Sequence, residues 1–173
     1  MDAAVVRSML KWPDVPAVYG WLRLDRRGAW RIRTGSGEAG PDFESISNAA
    51  LNGFIGRNYA PDERGCWFFQ NGPQRVYVAL AYAPFVYRFD GEWLTDQCGG
   101  RDAAVDSAWL DEEGSVVLQA GGRPGLLDDR DLAAIADPLT AGYFPMRGLL
   151  VPLGSLNRGG LARRFGFVAD PRP

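Results

Sequence analysis

The stretch Leu24-Asp25-Arg26-Arg27-Gly28-Ala29-Trp30 decides how this chain is read. Apolar ends bracket a polar Asp-x-x-Gly turn, and the residues beyond it alternate, with Trp30 and Ile32 on one side and Arg31 and Arg33 on the other. That is the pattern of an antiparallel hairpin with one face exposed. The pattern returns 86 residues later as Leu110-Asp111-Glu112-Glu113-Gly114-Ser115-Val116. At the same spacing Ile46, in a first predicted helix, falls on Leu132 in a second. The repeat predicts an internal duplication of strand, turn, strand, loop and helix. The fold class that follows is α+β, with two similar small subdomains, each an antiparallel sheet with one helix.

Working outward, Val5, Val6, Met9 and Leu10 predict a short N-terminal helix, ended by Lys11-Trp12-Pro13-Asp14-Val15-Pro16 because two prolines bar regular structure there. Ser45 is expected to cap a helix with Ile46, Ala50, Leu51 and Phe54 as its apolar stripe. Strands are expected at 65–70, 74–82, 85–89 and 92–95, joined by an Asn71-Gly72-Pro73 turn, a break at Pro84 and an Asp90-Gly91 turn. A four-stranded meander is the simplest arrangement of these. The acidic, glycine-rich segment 96–106 lacks apolar periodicity and sets the expected boundary between subdomains 1–95 and 96–173. Beyond it, the sequence predicts a helix over 129–136, a strand around 148–153, and an end in which Phe165 and Phe167 pack back.

The 173 residues contain no histidine, which removes Ser-His-Asp and Cys-His nucleophiles, imidazole bases and zinc sites that need a His ligand. Cys66 and Cys98 are too few for a thiolate cage and too far apart for a C-x-x-C pair, so no metal and no cofactor is expected. Cys66 reads as a small hydrophobe in a strand. The net charge of −2 argues against a protein that mainly neutralises phosphates, so no nucleic acid is expected as partner. No apolar run is long enough for a membrane span and the N-terminus has no signal-peptide pattern, so the expectation is a cytoplasmic protein without membrane contact.

Gly35-x-Gly37-x-x-Gly40 matches a dinucleotide fingerprint in form only. The strand before it alternates, and Pro41 stands where a helix should open, so a Gly/Ser loop is expected instead. Asp128, Asp129 and Asp131 lack calcium-loop spacing and suit a helix start. Asp111, Glu112 and Glu113 lie on a predicted turn as solvated charge. Arg163 and Arg164 are expected to meet the acidic 96–106 segment. The best functional constellation is Arg57 and Asn58 with Gln70, Asn71, Gln74 and Arg75, which bracket one strand and offer guanidinium and amide groups beside the apolar face of Trp67. Such a mixture suits a planar or anionic ligand and contains no activated nucleophile, so no catalytic residue is assigned.

At Trp12-Pro13-Asp14-Val15-Pro16, Tyr19-Gly20-Trp21-Leu22, Leu24-Asp25-Arg26-Arg27-Gly28, Arg57-Asn58-Tyr59 and the run from Trp67 to Val78, the chain resembles an uncharacterised proteobacterial family classed as a domain of unknown function. That resemblance covers most of the chain and implies no activity. More distantly, Asp25-Arg26-Arg27-Gly28-Ala29-Trp30, the helix from Ile46, Pro73 to Val78 and Ala83-Pro84-Phe85 resemble a second uncharacterised bacterial family. This likeness implies two related α+β subdomains, the C-terminal one similar to pleckstrin-homology folds, with a ligand site between them for a nucleobase-containing molecule. Where that family places an acid and a base, this chain has Gln74 and Arg75.

The function expected is a non-catalytic module of bacterial signalling or regulation that binds a small ligand or a protein partner. The alternatives are a histidine-independent enzyme acting on a phosphorylated or nucleoside substrate, and an interaction module that uses an exposed strand edge. A pocket holding a carboxylate of raised pKa beside an arginine would favour the enzyme.

Overall fold

The computed structural model describes residues 1–37 and 40–173. The chain forms two compact α+β units. The first comprises Met1–Asp25, Ala29–Ala81 and Phe167–Pro173, and the second Arg26–Gly28 and Tyr82–Gly166. By contacts the chain thus leaves the first unit after Ala81, well before the 96–106 segment, and its last residues return to it.

In the first unit, α1 (Ala3–Lys11) precedes β1 (Val18–Leu24), β2 (Trp30–Gly37) and β3 (Gly40–Ser45); α2 (Ala49–Arg57) then leads to β4 (Tyr59–Pro61), β5 (Trp67–Asn71) and β6 (Gln74–Leu80). The sheet order is β3-β2-β1-β6-β5-β4, antiparallel except where β1 runs parallel to β6. Strand alternation sends Leu22, Leu24, Trp30, Phe69, Val78 and Leu80 into one buried layer, to which α2 adds Ile55. Each buried aliphatic here contributes about 1.5–3 kcal/mol. The other face carries Phe68 and Tyr77, packed with Cys66, Tyr19 and Val168.

Two expectations are corrected in this unit. The residue capping α2 is Asn48, whose side chain accepts from the Leu51 N–H, because Ser45 is held in β3 opposite Arg31. The stretch expected to be a glycine-rich loop instead supplies the end of β2 and all of β3, which pair with each other. Residues 38 and 39 of that stretch lie outside the described residues.

The second unit contains β7 (Phe85–Phe89), β8 (Leu94–Asp96), β9 (Arg101–Asp102), β10 (Ser107–Asp111), β11 (Val116–Ala120), β12 (Arg123–Leu127), β13 (Tyr143–Met146) and β14 (Leu149–Leu156). Its helices are α3 (Ala136–Thr140) and α4 (Leu161–Phe165). The sheet order is β13-β14-β10-β11-β12-β7-β8-β9. The four-stranded meander therefore does not form: β6 and β7 are not neighbours, because the chain passes into this unit at Tyr82 and β7 pairs parallel with β12. The expected helix over 129–136 is a 3-10 helix, Asp129–Ile135, capped by the Asp128 side chain on the Arg130 N–H. Arg164 lies over the Trp109 ring at 4.8 Å, and Phe165 meets the same ring edge-on, so the arginine's contact is aromatic instead of acidic.

The order β3-β2-β1-β6-β5 has the same wiring as β12-β11-β10-β14-β13. In each, two hairpin-linked antiparallel pairs precede a helix, and the last strand returns parallel to the first. The Asp-x-x-Gly turn recurs with equal fidelity. Asp25 accepts from the Ala29 N–H at 2.9 Å and Asp111 from the Ser115 N–H at 2.7 Å, with Gly28 and Gly114 at φ 78° and 81°. The same lock closes at Asp62 on Cys66 and at Asp96 on Gly100, with Gly65 and Gly99 at positive φ. Glycine is needed at each because an L side chain is strained in that region.

Candidate ligand-binding site

The site grows from the β5–β6 turn of the first unit. Asn71 pairs with Gln74 across it, Gln70 pairs with Arg75, and Gly72 takes a φ of 57°. Strand alternation puts Gln70 on the Phe68 face and Trp67 on the opposite face, where it packs on Tyr59 at 4.7 Å. Of the seven residues singled out in the sequence, Gln70, Asn71, Gln74 and Arg75 come together at this turn and Trp67 does not join them.

Arg57 and Asn58 lie at the end of α2 and hold the N-terminal segment. Asn58 is fully buried; its Oδ1 accepts from the Asp2 N–H at 2.8 Å and its Nδ2 donates to the Phe54 carbonyl. Arg57 Nε sits 3.3 Å from the Asp2 carboxylate. Gln74 Nε2 donates to the Pro16 carbonyl at 3.1 Å. Three of the polar groups therefore anchor residues 1–17 in place.

Between that segment and the turn runs a groove of about 430 Å³, lined by Met9, Leu10, Trp12, Gln70, Pro73 and Arg75 among others. Leu10 is 79% exposed and Trp12 50%, so the apolar rim is largely uncovered. Gln70 is fully buried. Its Nε2 donates to the Gly72 carbonyl at 2.9 Å, which fixes the amide's orientation, and its Oε1 has no hydrogen-bond donor among the described residues. A buried acceptor left in this state costs about 1–3 kcal/mol.

On the other side of Arg75 lies a second recess of about 540 Å³, lined by Asp62, Glu63, Arg64, Phe68, Arg75 and Tyr77. The Asp62 lock builds it. One carboxylate oxygen accepts from the Arg64 and Cys66 N–H groups, and the other from the Tyr77 hydroxyl at 2.9 Å and Arg64 Nε at 3.3 Å. Burial works to raise the Asp62 pKa, but the Cys66, Tyr77 and Arg64 bonds outweigh it and hold the carboxyl below its usual value. Burial, and then the bond to Asp62, pushes the Tyr77 phenol up. Tyr19 stacks on Tyr77 with ring centroids 4.5 Å apart. Arg75 lies 4.6 Å over Phe68.

The sequence matches, over residues 1–172, the family DUF2944, described as "Protein of unknown function (DUF2946)". The chain belongs to this family. No curated protein matches the DUF2944 chain. Its fold is similar to the crystal structure of a DUF1285 family protein from Silicibacter pomeroyi DSS-3, with a TM-score of 0.52 at 16% identity over 81% of this chain and 83% of that one. A DUF1285 family protein from Shewanella baltica OS155 aligns with a TM-score of 0.46 at 16% identity, over 67% of this chain and 90% of that one. Both resemblances expected from the sequence, to uncharacterised bacterial families, are met. At this identity the likeness shows the two-subdomain α+β fold and nothing about ligands. Among the described residues, no helix is long and apolar enough to cross a membrane.

Sequence reading missed Trp12, Asp62, Arg64 and Tyr77 in the DUF2944 chain. Two signals were available. Asp62-Glu63-Arg64-Gly65 repeats the Asp-x-x-Gly spacing, and Arg75 and Tyr77 share one face of β6 by alternation.

Proposed function

We propose that this chain is a non-catalytic binding module in which the groove between residues 9–17 and the β5–β6 turn takes the guest. The observation that carries the reading is Gln70 Oε1, a buried acceptor with no donor among the described residues, at a groove whose rim is apolar and exposed. A guest that brings an N–H recovers the cost of that acceptor, Trp12 offers a flat face, and Arg75 offers a guanidinium fork to an anionic end. A nucleobase with a phosphate tail has all three features, which agrees with the ligand implied by the resemblance to the second family. Oε1 is closed to solvent, so the guest reaches it with a local adjustment of the groove lining.

Two observations favour binding over catalysis. At Asp62, Asp111, Asp128 and Asp131, burial works upward but hydrogen bonds and arginine partners outweigh it, so these carboxyls are lowered and poorly suited to act as general acids. Burial raises the Cys66 thiol, and pushes Cys98 up to about 12, so neither is an activated nucleophile. The matched wiring of the two sheets supports an origin by internal duplication. Isothermal titration against a panel of nucleotides and free nucleobases tests the reading. Saturable heat, with a change in tryptophan emission that is lost in Trp12→Phe, is expected; a folded protein giving no heat with the whole panel rejects the nucleobase version.

A protein-partner reading has its own observation. β13 ends the eight-stranded sheet, and the adjoining Leu149 and Leu150 are 71% and 59% exposed. A strand-edge partner would protect the β13 amides from hydrogen exchange.

A further inference from the structure

We propose that the recess walled by Phe68 and Tyr77 is an oxyanion site, in which Arg64 and Arg75 together hold a phosphate or carboxylate group. The site adjoins the groove and shares Arg75 with it, but Arg64 belongs to this recess alone.

Charge is the first argument. Asp62 is saturated by two backbone N–H groups, a phenol and Arg64 Nε, so its charge is spent inside its own turn and offsets one guanidinium. Arg75 has no carboxylate partner among the described residues. Both guanidinium groups line the same recess, Arg64 5.8 Å from the Tyr77 ring centre and Arg75 4.6 Å from that of Phe68. The recess carries two guanidinium groups and two carboxylates, but Asp62 is bound up in its own turn and Glu63 is exposed at the rim, so an oxyanion placed between the two forks meets the cations more closely than the remaining acid.

Pre-organisation is the second. Arg75 lies on the Phe68 ring at 4.6 Å, and Arg64 sits over Tyr77 at 5.8 Å, tied to Asp62 through Nε and 3.5 Å from Tyr19 Oη. The rings fix the planes of the two forks before a ligand arrives, and a planar fork matches the paired oxygens of a carboxylate or phosphate. Glu63, exposed at the rim of the same recess, opposes an incoming anion and limits the affinity.

The test follows the Nε–Hε resonances of Arg64 and Arg75 in the ¹⁵N-labelled full chain, as sodium phosphate or sodium acetate replaces sodium chloride at constant ionic strength. Both resonances are expected to shift and saturate. A response to phosphate alone identifies a phosphate-bearing ligand, to acetate alone a carboxylate, and to both a general oxyanion site. Arg75→Gln, with an unchanged amide spectrum elsewhere, is expected to weaken the Arg64 response at least tenfold. Arg75→Lys keeps the charge but not the fork and should weaken it severalfold. Glu63→Gln should tighten it about twofold, as expected for removing one exposed like charge at the rim. Shifts that stay linear and are matched by Arg7 on α1, or an Arg64 response untouched by Arg75→Gln, overturn the site. Arg64→Gln separates the two readings, since it removes the anion response while leaving the Gln70 groove intact.

Discussion

Gln70 is one of four residues in the first unit, with Trp30, Arg31 and Asn52, that leave a buried polar side-chain atom without a partner among the described residues, and it is the one that lines the groove. A glutamine at zero exposure with one satisfied and one orphaned end is worse packing than a leucine of similar size, which would need no partner. Gln70→Leu is therefore expected to raise stability by about 1 kcal/mol in urea unfolding while abolishing guest binding; a fall of that size would mean the amide is structural. Tyr82 is the opposite case. Its hydroxyl donates to Asp111 at 2.6 Å with both groups buried, and burial followed by that bond raises the phenol pKa. Tyr82→Phe leaves a buried carboxylate short of one donor and should lower stability by about 1.5–3 kcal/mol in the same assay.

The Asp-x-x-Gly lock accounts for most of what was legible at the scale of elements. It names its own turn: an aspartate able to accept from the residue four on, and a glycine that can take positive φ. Gly114→Ala puts a Cβ into that region and is expected to cost about 1–2 kcal/mol, read as a drop in melting temperature; no change would mean the turn is not held there. A different constraint acts at Gly154, opposite Trp109 in the β10–β14 pair. A Cβ there would lie 2.6 Å from the indole ring, so Gly154→Ala should destabilise by about 1–3 kcal/mol. What was not legible lacked a local determinant. β3 is mostly polar and opens on Gly40-Pro41, with no apolar alternation, so only its partner β2 makes it a strand. Pro84 announces a break without saying where the next strand goes. The bonds of Asn58 to Asp2 and of Gln74 to Pro16 were not legible either, because the partners are more than fifty residues away in sequence.

At the scale of the whole molecule, stability should fall in acid. Burial works to raise the Asp128 pKa, but its bonds to Arg130 and the nearby Arg88 bring it down to about 2. A carboxyl lowered on folding stabilises the native state above its unfolded pKa near 4, and this contribution, roughly 2 kcal/mol, disappears as pH falls from about 4 to 2. Urea midpoints between pH 6 and pH 2.5 should decline less steeply in Asp128→Asn than in the parent; parallel curves would assign the acid limb to other groups. The C-terminus matters at this scale too. Residues Phe167–Pro173 return to the first unit, where Val168 N–H bonds Gly65 and Ala169 accepts from Leu80. No periodicity could have announced that return, since it is made by two backbone bonds and a few apolar side chains. The two-unit division was legible from the repeated hairpin, whereas the groove, which depends on where residues 1–17 lie, was not.

The central claim is that Gln70 marks a binding groove, and isothermal titration of the parent and Gln70→Leu proteins with a nucleotide and nucleobase panel tests it most directly. Saturable heat in the parent, absent from an equally folded Gln70→Leu protein, is the predicted result. Identical heats from the two proteins, or turnover of the titrant, would contradict it.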